Sequence, residues 1–406
     1  MRILMVSTEY PPMPGGVGRY TANLTRELRK LGFDVYVACN DMGKGEFSGL
    51  SPTNMKNSDV LLEIVDKIKP DVVHVQFEPG MYGLIIDPKN PRKSGTHIDQ
   101  FYTRCNAPIT TTFHSGYYTL IQWMSQASLI KKSGRLGRLG IPLRLLIRSW
   151  KYLLNYKAFK NLNKEKLSMS RAGIVFSYYA SSKLGGGRVI YHGAEPAIST
   201  VPSNKKDARS MFSLPQDGRI ALALGFKTNT KGWDIIKKMD IPEGWRIVIN
   251  SSRSSYYNTE NYDEKWDEGN NDDDNKNNII DLQRGLLSEE ELSMLFYAAD
   301  AVILPYKLTA GSGVMFDALA HGLPFIATNL GFFKEFAAQG LGITVKRDPR
   351  EFSNGIKNLG RSYSSYTESI NAFKQKLKWD FVASQHASIY NFAAGKMQQE
   401  RDSSKV

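Results

Sequence analysis

The run Thr309-Ala-Gly-Ser-Gly-Val-Met-Phe-Asp-Ala-Leu-Ala-His-Gly-Leu-Pro324 places Gly311, Ser312, Gly313 and Val314 at the start of a helical pattern and Gly322-Leu-Pro324 at its stop. A helix start leaves N–H groups unpaired and carries the positive end of the helix dipole. It therefore attracts an anion, and the anion expected here is a phosphate. The turn Gly225-Phe-Lys227-Thr-Asn-Thr-Lys231-Gly232 adds two ammonium groups that could neutralise a diphosphate. Alone, that turn suits a charged surface loop equally well.

Further groups of this kind sit in the first half. Thr8-Glu-Tyr10-Pro-Pro-Met-Pro-Gly15-Gly16-Val-Gly18 follows a short apolar run and leads into a helical pattern from Arg19. Its glycines would let the backbone approach a bound group closely. The spacing is not Gly-x-Gly-x-x-Gly, and no acid closes the second apolar run to take a ribose, which argues against NAD. Two more apolar runs end in polar groups, Glu78 after Val73-His-Val-Gln-Phe77 and His114 after Thr110-Thr-Thr-Phe113. Each of these ends is also compatible with a structural role.

The elements that must position these groups alternate in type along the chain. Strand patterns fall at 3–6, 35–38, 72–75, 109–113, 173–176 and 189–191, then at 220–224, 246–249, 301–304, 325–328 and 343–345. Helical patterns lie between them, as at 18–31, 60–69 and 289–298. Such alternation predicts an α/β chain of two doubly wound, Rossmann-like parallel-sheet domains, with ligands in a crevice at the carboxyl ends of the strands. The loosened stretch between Glu195 and Asp207 sets the boundary, giving one domain over 1–200, a second over 201–378 and a C-terminal helix over 379–396.

At 406 residues there is room for two sizeable cores. Two cysteines cannot make a disulfide framework, and the N-terminus reads as a buried strand. No apolar run approaches the roughly 18 residues that a spanning helix needs. A cytoplasmic location is expected. The net charge of +13 concentrates between Lys131 and Arg171, where twelve Lys or Arg meet one acid, Glu165. Bulky apolar residues interleave with those cations. An anionic membrane surface is therefore one candidate partner and a solvated helical face the other, with nucleic acid not expected. The acid-rich insert at 256–278, containing Asp272-Asp-Asp274, reads as a solvated loop rather than a metal site.

Taken in order, the Pro-x-x-Gly-Gly-Val-Gly start, the strand-end His114, the Gly-x(5)-Lys-Gly turn and the Gly311–Pro324 helix resemble the retaining glycosyltransferases of family 4, which have the GT-B fold. The resemblance runs from Met1 to about Tyr390. It implies that Gly15, Gly16 and Gly18 border the donor diphosphate and the acceptor, with Tyr10 and Glu78 on the acceptor side. His114 would hydrogen-bond the transferred sugar. Lys231, assisted by Lys227, would bind the diphosphate together with the backbone at Gly311, Ser312, Gly313 and Val314. Asp317 would take the ribose, and Glu335 would lie further along the donor side. Relatives show Glu, seven residues, Glu, where this chain has Thr309, also placed on the donor side, and Asp317. The basic residue usual after Gly225 is replaced by Phe226.

The resemblance implies a metal-independent, retaining hexosyltransferase with no cofactor beyond its nucleoside-diphosphate sugar, acting on a lipid-linked, glycan or other hydroxyl acceptor. A catalytically silent sugar-nucleotide or polyanion-binding protein of the same fold is the alternative.

Overall fold

Near-continuous runs of Val, Ile, Leu and Ala form strands buried on both faces, as a parallel sheet covered by helices requires. The computed structural model describes residues 1–85, 87, 94–115, 141–197, 204–228, 230–252 and 278–396. In chain order the elements are β1 (Arg2–Val6), α1 (Gly16–Lys30), β2 (Asp34–Ala38), α2 (Asn57–Ile68), β3 (Val72–Phe77), α3 (Asp99–Arg104), β4 (Ile109–Phe113), α4 (Ile141–Met169), β5 (Ala172–Val175), α5 (Tyr178–Leu184) and β6 (Arg188–Val189). They continue with α6 (Lys205–Met211), β7 (Arg219–Phe226), α7 (Trp233–Ile236), β8 (Trp245–Ser252), β9 (Ile279–Asp281), α8 (Glu289–Ala298), β10 (Ala301–Leu304) and α9 (Gly313–Ala320). The last are β11 (Phe325–Thr328), α10 (Gly331–Ala337), β12 (Gly342–Val345), α11 (Pro349–Arg361), α12 (Tyr363–Phe373) and α13 (Trp379–Ala393).

The chain divides into two compact units, one of Met1–Tyr191 with the segment from Trp379 onward, the other of His192–Lys378. The break falls earlier than the expected 200–201 because His192 already packs within the second unit. Its ring stacks on Phe316 with centroids 5.7 Å apart and planes 9° off parallel.

In the first unit the sheet order is β2-β1-β3-β4-β5-β6, every pair parallel, with Ile3 opposite both Val35 and Val72 and Val75 opposite Thr111. Tyr20, Leu24 and Leu28 recur every fourth residue on the buried face of α1. The Tyr20 ring lies 5.3 Å from that of Trp379, so α13 packs on α1. Buried polar residues of the sheet find partners across it. Thr110 Oγ1 donates to the Val73 carbonyl, and Thr111 Oγ1 lies 2.7 Å from Ser170 Oγ.

Helix α4 carries part of the basic block. Ala158, Phe159 and Leu162 are buried, while Lys157, Lys160 and Lys164 are exposed. Lys166 departs from the expected cationic surface. It is fully buried, ion-paired to Asp99 at 2.9 Å and placed over the Tyr102 ring. The remainder of the block at 131–140, and the insert with Asp272–Asp274, lie outside the described residues. Among the described residues, no helix is long and apolar enough to cross a membrane.

The second sheet runs β12-β11-β10-β7-β8-β9, again all parallel. Its edge strand β9 has three half-buried residues and was not read from the sequence, because Ile279-Ile280-Asp281 is too short a run beside a polar insert to show a period. A core of Ile247, Ile249, Ile303, Ile326, Phe352 and Ile356 fills one face of this sheet.

Candidate nucleotide-sugar and acceptor half-sites

In the second unit the chemistry gathers at the carboxyl ends of β7 and β10. Gly225, next to last in β7, has φ 143°, a left-handed conformation that favours glycine, and the Lys231 side chain packs beside it. Gly232 has φ 78°, and a Cβ there would run into the Pro305 carbonyl. The turn is therefore drawn tight against the end of β10. Lys231 Nζ sits 4.0 Å from the centre of the buried Tyr306 ring, a cation–π placement. The hydroxyl of the same tyrosine lies 3.5 Å from Ser312 Oγ. Ser312 caps α9, its Oγ accepting from Met315 N at 3.2 Å. The N–H groups of Gly313 and Val314 have no acceptor among the described residues. One tyrosine thus brings together a fixed ammonium and an open helix start.

The structure redistributes the other donor-side residues. Lys227 leaves β7 with its backbone N–H bonded to the Ser252 carbonyl at 2.9 Å. Thr309 is only 6% exposed, and its hydroxyl is spent inside its own loop, donating to the Gly311 carbonyl and accepting from Gly311 N. It shapes the approach to α9, where it was expected to meet the donor. Asp317 is 3% exposed, in the second turn of α9. Glu335 is half-buried on α10, a helix whose Phe333 ring meets Tyr306 edge-on at 5.6 Å.

In the first unit the loop after β1 holds a group that the sequence reading passed over. Glu9 Oε2 accepts from Val17 N at 3.1 Å and from Gly18 N at 3.2 Å. A Cβ at Gly15 would press on that carboxyl group, the movable end of the Glu9 side chain. Gly15, Gly16 and Gly18 were expected to border the donor diphosphate and the acceptor. Instead the protein's own carboxylate occupies two N–H groups of this helix start, so it is not an open anion site. Burial, aided by the charge of Glu78, raises Glu9 from 4.5 to about 7, against the lowering effect of its two backbone bonds.

Glu78 caps a short 3-10 turn, Pro79–Tyr82, accepting from Gly80 N at 2.6 Å and from Ser115 Oγ at 2.8 Å. Burial raises its pKa as well. Both of its oxygens are engaged, so it ties the loop after β3 to the loop after β4 and sets the residue beside His114. Tyr10 is half-buried near Gly43 on the side of β2. His114 Nε2 lies 2.8 Å from Gln76 Oε1, with the Tyr20 and Phe176 rings at 5.3 and 5.2 Å. Behind it His74 and His386 are fully buried, and desolvation keeps both neutral, His386 falling to about 4.

Sequence reasoning therefore missed Glu9, Gln76, Tyr306 and His192. The signal for Glu9 and Tyr306 was available, since they lie three and two residues beyond the ends of the buried strands β1 and β10. Gln76 gave none, because a polar residue inside an apolar run does not reveal what it faces. A separate open groove, lined by Tyr102, Cys105, Ser168, Arg171 and Ala393, lies at the amino ends of β4 and β5. That is the wrong end of the sheet for ligands in this architecture.

Two parallel six-stranded sheets with flanking helices, each with polar groups at its strand ends, place the protein in the GT-B class. Sucrose-phosphate synthase from Thermosynechococcus elongatus superposes with a TM-score of 0.67 at 15% identity, covering 98% of this chain and 100% of that one. Anabaena HepE in complex with UDP and glucose gives 0.62 at 14%, covering 96% and 98%. In sequence, residues 14–157 match the model of Glycosyltransferase Family 4 and residues 260–362 that of Glycosyl transferases group 1. An uncharacterized glycosyltransferase of Methanocaldococcus jannaschii is 22% identical over 410 residues, 97% of this chain and 98% of the relative. The chain belongs to glycosyltransferase family 4, and its enzyme class is glycosyltransferase.

Proposed function

We propose that the protein is a retaining, metal-independent hexosyltransferase that moves a sugar from a nucleoside-diphosphate sugar to a hydroxyl of a lipid-linked or glycan acceptor. The observation that carries this reading is the grouping of Lys231, Tyr306 and the start of α9. As the bond from the anomeric carbon to the phosphate oxygen breaks, negative charge grows on the diphosphate. An ammonium already fixed over Tyr306 and N–H groups already aimed from Gly313 and Val314 stabilise that charge without reorganising. The acceptor oxygen attacks from the same face, and its proton passes to the departing phosphate oxygen, which accounts for retention without a separate base. Lys227 adds charge at the mouth of the turn, and Asp317 takes the ribose. In the first unit His114 meets the transferred sugar, and Tyr10 and Glu78 shape the acceptor side.

The Anabaena HepE structures contain UDP and UDP-glucose, which makes uridine nucleotides the first donors to try. A panel of nucleotide sugars screened by thermal shift identifies the donor, since binding stabilises by mass action. Lys231→Ala is then expected to reduce transfer by about two orders of magnitude or more, the cost typical of losing one preorganised donor. Near-normal transfer by that variant would remove the assignment.

We also propose that the protein works in the cytoplasm as a peripheral membrane protein. The support is the basic block, whose described part presents Lys157, Lys160 and Lys164 on one exposed face of α4.

A further inference from the structure

We propose that Gln76 is a positioning residue that holds His114 as its Nε2–H tautomer, and that His74 and Tyr390 of α13 hold Gln76 in turn. The inference rests on the reading of His114 as the residue that meets the transferred sugar.

The argument starts at the Gln76 amide. Its nitrogen lies 3.2 Å from Met5 Sδ and 3.4 Å from His74 Nε2, and its oxygen lies 2.8 Å from His114 Nε2. A thioether can only accept, so the amide nitrogen belongs on the Met5 side and the oxygen on the His114 side. A carbonyl oxygen can also only accept, so His114 Nε2 carries the proton. The opposite tautomer would set two lone pairs against each other at 2.8 Å. His74 completes the chain. Its Nε2 accepts from Gln76 and faces Thr112 Oγ1 at 2.8 Å, leaving its own proton on Nδ1, which donates to Tyr390 Oη at 2.6 Å.

Met5, His74, Gln76, Thr112 and Tyr390 are fully buried, so no solvent can substitute for a lost partner. A second line fixes the ring plane. His386 Nδ1 donates to the Val382 carbonyl at 2.8 Å, so its Nε2 accepts from Tyr20 Oη at 3.2 Å. The Tyr20 ring, held in this way, stands edge-on to His114 at 5.3 Å. Both lines end on α13. The C-terminal helix is therefore part of what orients His114, although no residue of it was expected at the site.

The test is the imidazole tautomer of His114, read by nitrogen-15 NMR of histidine-labelled full-length protein, together with donor kinetics. The wild type is expected to show the proton on Nε2. Gln76→Leu is expected to lose that single tautomer and to lower kcat by about tenfold or more, with KM for the donor changing less than about twofold, as loss of orientation alone predicts. Gln76→Glu keeps an acceptor and adds charge, so it is expected to hold the proton on Nε2 and move the His114 titration up by about one unit or more. A His114 tautomer unchanged in Gln76→Leu, or a titration unchanged in Gln76→Glu, overturns the proposal. Full transfer by His114→Ala would instead overturn the catalytic reading of His114, while the tautomer measurement would still test Gln76.

Discussion

Glu9 gives the sharpest quantitative expectation, because it is an acid pressed into a glycine loop with its charge poorly solvated. Its pKa rises from 4.5 to about 7 on folding. A carboxyl group raised in this way binds its proton more tightly in the native state. The stability it contributes is thus complete below about pH 4.5 and is lost as the pH climbs through about 7. The shift corresponds to about 3 kcal/mol in all, of which about 2.5 kcal/mol falls between roughly pH 5 and pH 8. Glu9→Gln keeps an acceptor for Val17 N and Gly18 N and removes the titration. Urea unfolding of both proteins across that range should show the variant gaining on the wild type by about 2–3 kcal/mol as the pH rises. Taking the difference between the two proteins cancels the other titrating groups. A difference that stays flat to within about 0.5 kcal/mol, well inside the expected change, would mean that Glu9 is solvated in solution and does not fill the loop.

The Lys166–Asp99 pair predicts an asymmetry, because Lys166 is fully buried whereas the Asp99 side chain is 34% exposed. Asp99→Asn leaves an ammonium buried without a counterion and should cost on the order of 3 kcal/mol, whereas Lys166→Met leaves a carboxylate that water can reach and should cost under about 1 kcal/mol; chemical denaturation near neutral pH gives the order, and the reverse order would refute the account. Gly232→Ala forces a Cβ onto the Pro305 carbonyl at a positive φ, so it should lower both thermal stability and donor affinity, by more than about 1 kcal/mol in stability. For the basic block, co-sedimentation should favour anionic over neutral vesicles at low salt and lose that preference with added salt. Equal binding to both would reject membrane attachment.

The sequence carried the strand and helix order well, because a strand buried on both faces must be an unbroken apolar run and a covering helix must repeat near every fourth residue. Ile3–Val6, Ala301–Leu304 and Phe325–Thr328 were legible on that ground alone, as was the helix start at Ser312. It also exposed His114, which directly follows β4, and Lys231, in the turn after β7, since polar residues just beyond a buried strand fall at the ligand end of a parallel sheet. Tertiary packing decided which of those groups remained available. Thr309 and Glu78 turned inward to satisfy neighbouring backbone and hydroxyl groups, Lys166 was drawn from the basic surface into an ion pair, and Glu9 filled the glycine loop expected to border a phosphate. The chain from His114 through Gln76 and His74 to Tyr390 joins residues more than 300 positions apart. Local spacing fixes which residues share a strand or a helix face. Only the folded chain fixes which buried donor meets which acceptor, because desolvation compels each such group to find a partner wherever the packing brings one near.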